Sequence, residues 1–156
     1  MRFDKLTTKF QQAFSDAQSI AVGQDNPTIE PQHLLLALLQ QEDGSTLSLL
    51  QRSGVNTAAL LENLRQQVQR LPKVENSAGE VTISRSLNNL LNLSDKEAQK
   101  HNDQFIASEM FLLAALQDKG EVSILLKQHG ASYAALSQAI HAVRGGEQVN
   151  SAEGES

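Results

Sequence analysis

Ile29-Glu30-Pro31-Gln32-His33-Leu34-Leu35-Leu36-Ala37-Leu38-Leu39-Gln40 is answered 77 residues later by Ile106-Ala107-Ser108-Glu109-Met110-Phe111-Leu112-Leu113-Ala114-Ala115-Leu116-Gln117. Six of these twelve positions are identical: Ile29/Ile106, Leu35/Leu112, Leu36/Leu113, Ala37/Ala114, Leu39/Leu116 and Gln40/Gln117. At a shift of 76 the likeness continues. Leu49-Leu50 answers Leu125-Leu126, Gly54 answers Gly130, and Ala58-Ala59-Leu60 answers Ala134-Ala135-Leu136. One helical unit has been built twice, and two copies make a compact domain rather than a long solenoid.

Outward from these segments the periodicity is helical. Leu6, Phe10, Ala13, Phe14, Ala17, Ile20 and Ala21 recur at three- and four-residue spacings, which predicts a first helix from about Asp4 to Val22. Pro31 suits the first position of a second helix running to about Gln41, apolar on nearly every face and therefore central. Ser45 is expected to cap a short third helix that Gly54 ends. Asn56 is expected to cap a fourth, to about Leu71, with Leu60, Leu61, Leu64, Val68 and Leu71 inward.

Residues 73–81 read as a linker without helical period. The second unit starts near Ser84, with Leu87, Leu90, Leu91, Ser94 and Ala98 as its first stripe. Ser108 is expected to cap the second buried helix, and Val122 to Leu126 to form the short one. Ser132 is expected to cap the last, with Leu136, Ile140 and Val143 inward. No stretch alternates as a strand should. The fold class is all-α: two four-helix repeats related by a pseudo-twofold, about eight helices. Residues 1–144 form the domain, with repeat one at about 3–72 and repeat two at about 82–144. Residues 145–156 are small, polar and acidic, and read as a flexible linker.

Composition narrows the function. The 156 residues carry a net charge of −5, with only 13 scattered basic residues. That argues against nucleic acid, whose phosphates need clustered Lys and Arg. There is no cysteine, hence no disulfide or thiol chemistry. The run Leu34–Leu39 is too short to cross a bilayer, and no signal peptide is visible, so a cytoplasmic location is the default. No glycine is followed by lysine, so the phosphate-cradling loop is absent. His33, His101, His129 and His141 show no metal-ligand spacing and read as surface or helix-end residues. No catalytic, cofactor or metal site is expected, and a binding module remains.

Departures from the repeat point to where binding could occur. Leu93 stands where the first repeat has Asp16, off the stripe of its helix, and Met110 stands where the first has His33. Leu91, Leu93 and Met110 are the sequence candidates for a shallow apolar groove, methionine being adaptable to varied partners. Asp103 and Glu109 could supply an acidic rim. Ser94-Asp95-Lys96-Glu97 matches a capping box but lies inside a periodic stretch, so the match is accidental.

These residues also resemble a known family. Phe10-Gln11-Gln12-Ala13, Asp16-Ala17-Gln18-Ser19 and Ile29-Glu30-Pro31-Gln32-His33-Leu34-Leu35 are similar to the first Clp N-terminal repeat. Leu91-Asn92-Leu93-Ser94-Asp95-Lys96, Asp103-Gln104-Phe105-Ile106, Ser108-Glu109 and Phe111-Leu112-Leu113-Ala114-Ala115-Leu116 are similar to the second. Met1-Arg2-Phe3-Asp4-Lys5-Leu6-Thr7 and Arg144-Gly145-Gly146 resemble the disaggregase branch.

The resemblance implies the N-terminal domain of a stress-response chaperone. Such a protein is a homohexamer driven by ATP and Mg in ATPase domains outside this chain, and it threads aggregated polypeptides with the DnaK system. The isolated domain would be a monomer that captures unfolded or aggregated polypeptides, through Thr7, Leu91, Leu93, Asp103, Glu109 and Met110. Docking of an adaptor, or regulation of the motor, is the alternative. A related branch reads phosphoarginine with one glutamate per repeat; Glu109 is present here, but Gln32 stands at the other position.

Overall fold

The computed structural model describes residues 2–75 and 80–155. A 3-10 turn at Phe3–Lys5 leads into α1 (Thr8–Gly23), β1 (Thr28–Ile29), α2 (Pro31–Gln40), α3 (Thr46–Arg52) and α4 (Thr57–Arg70). The second repeat follows as β2 (Thr82–Ile83), α5 (Arg85–Lys100), α6 (Ser108–Gln117), α7 (Glu121–Gln128) and α8 (Tyr133–Arg144). The expected eight helices are therefore present among the described residues, four to a repeat.

The duplicated segments form the centre. Every residue from Pro31 to Leu39 in α2, and from Ser108 to Leu116 in α6, is buried. α1 packs along α2 and α5 along α6, while α3 meets α8 and α4 meets α7 across the repeats. Phe10 and Phe111, one from each repeat, approach with ring centroids 6.3 Å apart. Burying these apolar surfaces in one continuous core is the main driving force for folding.

The structure corrects several local expectations. α1 begins at Thr8, not Asp4, because Leu6 and Thr7 are drawn out into extended backbone. Leu6 pairs with Ile106 as a parallel bridge, and the Thr7 hydroxyl caps the helix by accepting from the Phe10 amide at 3.2 Å. Among the described residues there are two short strands: β1 and β2 pair in parallel, with Thr28 opposite Thr82 and Ile29 opposite Ile83. Two residues are too few to show a period of two.

The two pairings are repeat-related. Leu6 occupies in the first unit the place of Ile83 in the second, and Ile106 that of Ile29. Each repeat's entry to its first helix thus clasps the other repeat's entry to its second helix. Ser84 accepts from Leu87 N at 3.0 Å as Thr7 does from Phe10 N.

Asn56 and Ser132 cap α4 and α8 as expected. Ser45 makes no side-chain cap bond. Ser108 is not a cap at all: the cap position of α6 is Ala107. Val143, expected inward, is 43% exposed and lines a cleft beside Val149 and Glu155. Ser94 lies within α5 and donates to Leu90 O, so its capping-box match is accidental. His33 is fully buried rather than superficial; its Nδ1 accepts from Glu30 N at 2.8 Å, and its Nε2 contacts Asn26 Oδ1. Part of the expected linker 73–81, residues 76–79, lies outside the described residues. No helix of the described residues is long and apolar enough to cross a membrane.

Candidate peptide-binding clefts

Three of the six candidate residues converge at the starts of α1 and α6. Thr7 is buried; besides capping α1, its hydroxyl donates to Glu155 Oε1 at 2.6 Å. Asp103, in the turn before α6, accepts two hydrogen bonds from Arg144 Nη1, at 3.0 and 2.9 Å, and a third from Val149 N at 3.0 Å. Glu109, on the first turn of α6, has Oε2 3.6 Å from Arg144 Nε. Burial pushes the Glu109 carboxyl above the ordinary carboxylate range; Arg144 opposes that shift, while Glu155 and Asp103 add to it. Asp103 and Glu109 therefore do not form an exposed acidic rim. They flank a guanidinium that is itself only 10% exposed.

The other three candidates part company with them. Leu91 and Met110 lie in the core, since Leu91 sits on the inward stripe of α5 and Met110 on a helix surrounded on all sides. Leu93 is partly buried and packs on the same core. The apolar groove expected at Leu91, Leu93 and Met110 is thus filled by the protein's own side chains.

An apolar groove does exist elsewhere. Phe3, Phe14, Ile29, Val81 and Ile83 line an open cleft of about 450 Å³ between α1 and the β1–β2 pair, edged by Gln11, Ser15 and Gln18. Phe3 is 45% exposed and meets Phe14 edge-on, with centroids 4.8 Å apart and planes at 79°. Phe14 and Ile29 form the floor and are nearly buried. Sequence reasoning missed this cleft because its walls come from the opening residues, the first helix and the end of the inter-repeat segment.

The segment after α8, expected to be a flexible linker, packs back on the body. The physical reason is that its one branched apolar residue, Val149, is buried and Glu155 finds partners in the fold. Arg144, Val149 and Glu155 were not singled out from the sequence. The signal available was Val149, a lone branched apolar side chain in a polar tail.

Among the described residues no group of His, Cys, Asp and Glu is placed to hold a metal. The cleft of Phe3, Phe14, Ile29, Val81 and Ile83 lies where the two repeats join, whereas the cleft beside Glu109 and Arg144 is walled by the second repeat and the segment after α8. Residues 5–129 match the Clp repeat (R) N-terminal domain, and the chain belongs to that family. It is 48% identical over 155 residues to the chaperone protein ClpB of Pseudomonas putida, spanning 99% of this chain and 18% of that protein. ClpB of Vibrio cholerae is 47% identical over 150 residues, 96% of this chain and 18% of its own length. The chain thus spans under a fifth of these relatives. The Hsp104 N-terminal domain from Candida albicans superposes with a TM-score of 0.84 at 21% identity, covering 97% of this chain and 99% of that one.

Proposed function

We propose that this chain is the client-engaging N-terminal domain of an ATP-driven, ClpB-like disaggregase, and that it holds exposed apolar stretches of unfolded or aggregated polypeptide. The observation that carries this reading is the open groove of Phe3, Phe14, Ile29, Val81 and Ile83. Misfolded chains expose apolar segments that native proteins bury, and a shallow greasy cleft takes them with little sequence preference. Contacts of this size would give a Kd of roughly 10–100 μM, or about −5.5 to −7 kcal/mol.

Weak binding suits the task, because a motor must strip the client away. In a homohexamer the copies would reinforce one another through effective concentration. ATP and Mg, the DnaK system and the cytoplasmic setting belong to the whole protein in this reading.

The test is an NMR titration of the domain with an unfolded client and with the same client in its native form. Shifts at Phe3, Phe14, Val81 and Ile83 with the unfolded form alone are the expected result. Phe3→Ser should weaken binding about tenfold, by removing a large exposed apolar contact, while leaving the fold intact. Equal binding of the native form would favour adaptor docking instead, and no shift at the groove would defeat the reading.

A further inference from the structure

The end of α5 and the last turns of α8 enclose a further cleft, of about 200 Å³, lined by His101, His141 and Arg144. The 13 lysines and arginines are scattered over a chain of net charge −5. Against that background, two of the four histidines and a buried arginine meet at one place. Glu147 is the one carboxylate in the wall. A water's share of the liquid is about 30 Å³, so the space takes a tetrahedral oxyanion together with a few waters.

The fold supplies neutral donors beside these cations. Ser137, His141 and Arg144 are spaced by four and three along α8 and so share a face, while His101 meets them from the end of α5. Gly145, left-handed at φ 60° and ψ 28°, and Gly146, at φ +88°, then turn the chain. Gly146 and Gln148 thereby join the lining. Among the described residues their amides donate to no backbone carbonyl. The space in front of Gly146 is open, since a Cβ there would meet nothing within 4 Å. Uncommitted main-chain N–H groups after a left-handed turn are a recurrent element of anion sites.

Arg144 carries unmet demand of its own. Its side chain is 10% exposed and Nη1 is spent on Asp103. Nε and Nη2 are buried without a hydrogen-bond partner among the described residues. Such nitrogens carry a desolvation cost, and an oxyanion is the acceptor a guanidinium fork fits best. His101 adds a condition. Its Nδ1 lies 2.8 Å from Glu97 O. A carbonyl only accepts, so Nδ1 holds a proton and Nε2 donates to a ligand only when the ring is charged.

The charges around the cleft set the same condition. Asp103 offsets Arg144 from the turn before α6, and Glu109 faces it from α6. Lys100 and Glu97 pair with each other on α5. The ends of α5 and α8 add partial negative charge, although His141 O and Arg144 O already accept from Gly145 N and Glu147 N. With neutral imidazoles, Asp103 and Glu147 outweigh the guanidinium; with both rings charged the balance turns positive.

We propose that this cleft is a proton-linked binding site for a phosphate-class oxyanion, held by Arg144, charged His101 and His141, and the amides of Gly146 and Gln148. Binding braces the end of α8 against the end of α5 and draws protons onto the two rings. The site is independent of the apolar groove and of the function proposed for it.

The test is an NMR titration of the whole 156-residue chain with sulfate, whose charge is constant across the histidine range, at about pH 6 and about pH 8. Sodium chloride holds the ionic strength, so screening stays the same. Saturable shifts at Gly146, Gln148 and the two imidazoles are expected, with affinity roughly tenfold higher at the lower pH. Inorganic phosphate and glycerol 2-phosphate, compared at the lower pH, distinguish a free ion from a monoester as the preferred source. His101→Gln and His141→Gln, singly and together, should lower the affinity at about pH 6 to its level at about pH 8. Arg144 is left intact, because its loss strands Asp103. Unfolding midpoints in chloride show whether each variant folds, and His141→Gln leaves the bond from His101 to Glu97 in place. Shifts that do not saturate, or that chloride alone reproduces, would overturn the proposal. So would affinity independent of pH, or a double variant that binds sulfate as the wild type does.

Discussion

Asp103 and Arg144, one before α6 and the other at the end of α8, form a buried ion pair in which Nη1 lies 3.0 and 2.9 Å from the two carboxylate oxygens. The Asp103 side chain is fully buried. Removing one partner of such a pair strands the other charge, which costs about 3–5 kcal/mol. Asp103→Ala also removes the acceptor for Val149 N. The expected result is a loss of that size in denaturant unfolding. Replacing both residues with apolar ones, Asp103→Leu with Arg144→Met, should recover most of it. If Asp103→Ala costs less than about 1 kcal/mol, a figure typical of an exposed pair, the ion pair is not buried in solution.

Glu109 gives the pH dependence. Its carboxyl is held above the ordinary value of 4.5, first by burial. The folded state therefore binds this proton more tightly than the unfolded chain does. This group's contribution is most favourable below 4.5 and is lost as pH rises through its folded value. Glu109→Gln keeps the shape and abolishes the titration. The variant should be more stable than wild type at neutral pH, and the difference should vanish below 4.5. Unfolding midpoints across pH check both limbs; a variant less stable at neutral pH would mean that the contact with Arg144 outweighs burial.

Tyr133 offers a direct spectroscopic check of the α5–α8 contact. Its hydroxyl donates to Glu97 Oε2 at 2.8 Å, and desolvation followed by this bond pushes its pKa up to about 12. It is the only tyrosine, and there is no tryptophan, so tyrosinate absorbance reports this residue alone. The titration should centre near 12 in the folded chain. Its stabilising contribution is fully present below the ordinary value of 10 and is lost as pH rises through 12. Glu97→Gln should bring the midpoint part of the way down, since burial remains. An ordinary midpoint in the wild-type chain would show that this contact does not form.

The duplication made the architecture readable. Two similar apolar decamers can be buried only at the centre, and the capping residues Asn56 and Ser132 act where their spacing placed them. The site was less legible for a physical reason. Thr7, Asp103 and Glu109 do converge, but their convergence depends on Arg144, Val149 and Glu155, whose roles arise only when the chain folds back on itself. Periodicity carries no information about such returns. Leu91 and Met110 look like groove residues only until their neighbours are seen to enclose them. Phe3 and Val81 belong to one groove because β1 pairs with β2, through strands too short to announce themselves.

Gly54 and Gly130 are repeat-related, and each ends a short helix with positive φ, +94° and +99°. Any other residue pays for that backbone conformation, at roughly 1–2 kcal/mol for alanine. Their surroundings differ. A Cβ at Gly54 would meet nothing within 4 Å, whereas one at Gly130 would lie 3.2 Å from Gly54 O, tight against backbone. That backbone is fixed where the repeats join, since Asn56 N donates to His129 O at 3.1 Å. Gly54→Ala should therefore show the conformational cost alone. Gly130→Ala should cost roughly 2–4 kcal/mol, because it also forces the two repeats apart. Chemical denaturation of the two variants side by side measures the difference. Equal losses would mean that the repeats yield freely at this junction, and that the contact between α3 and α8 is not what holds them together.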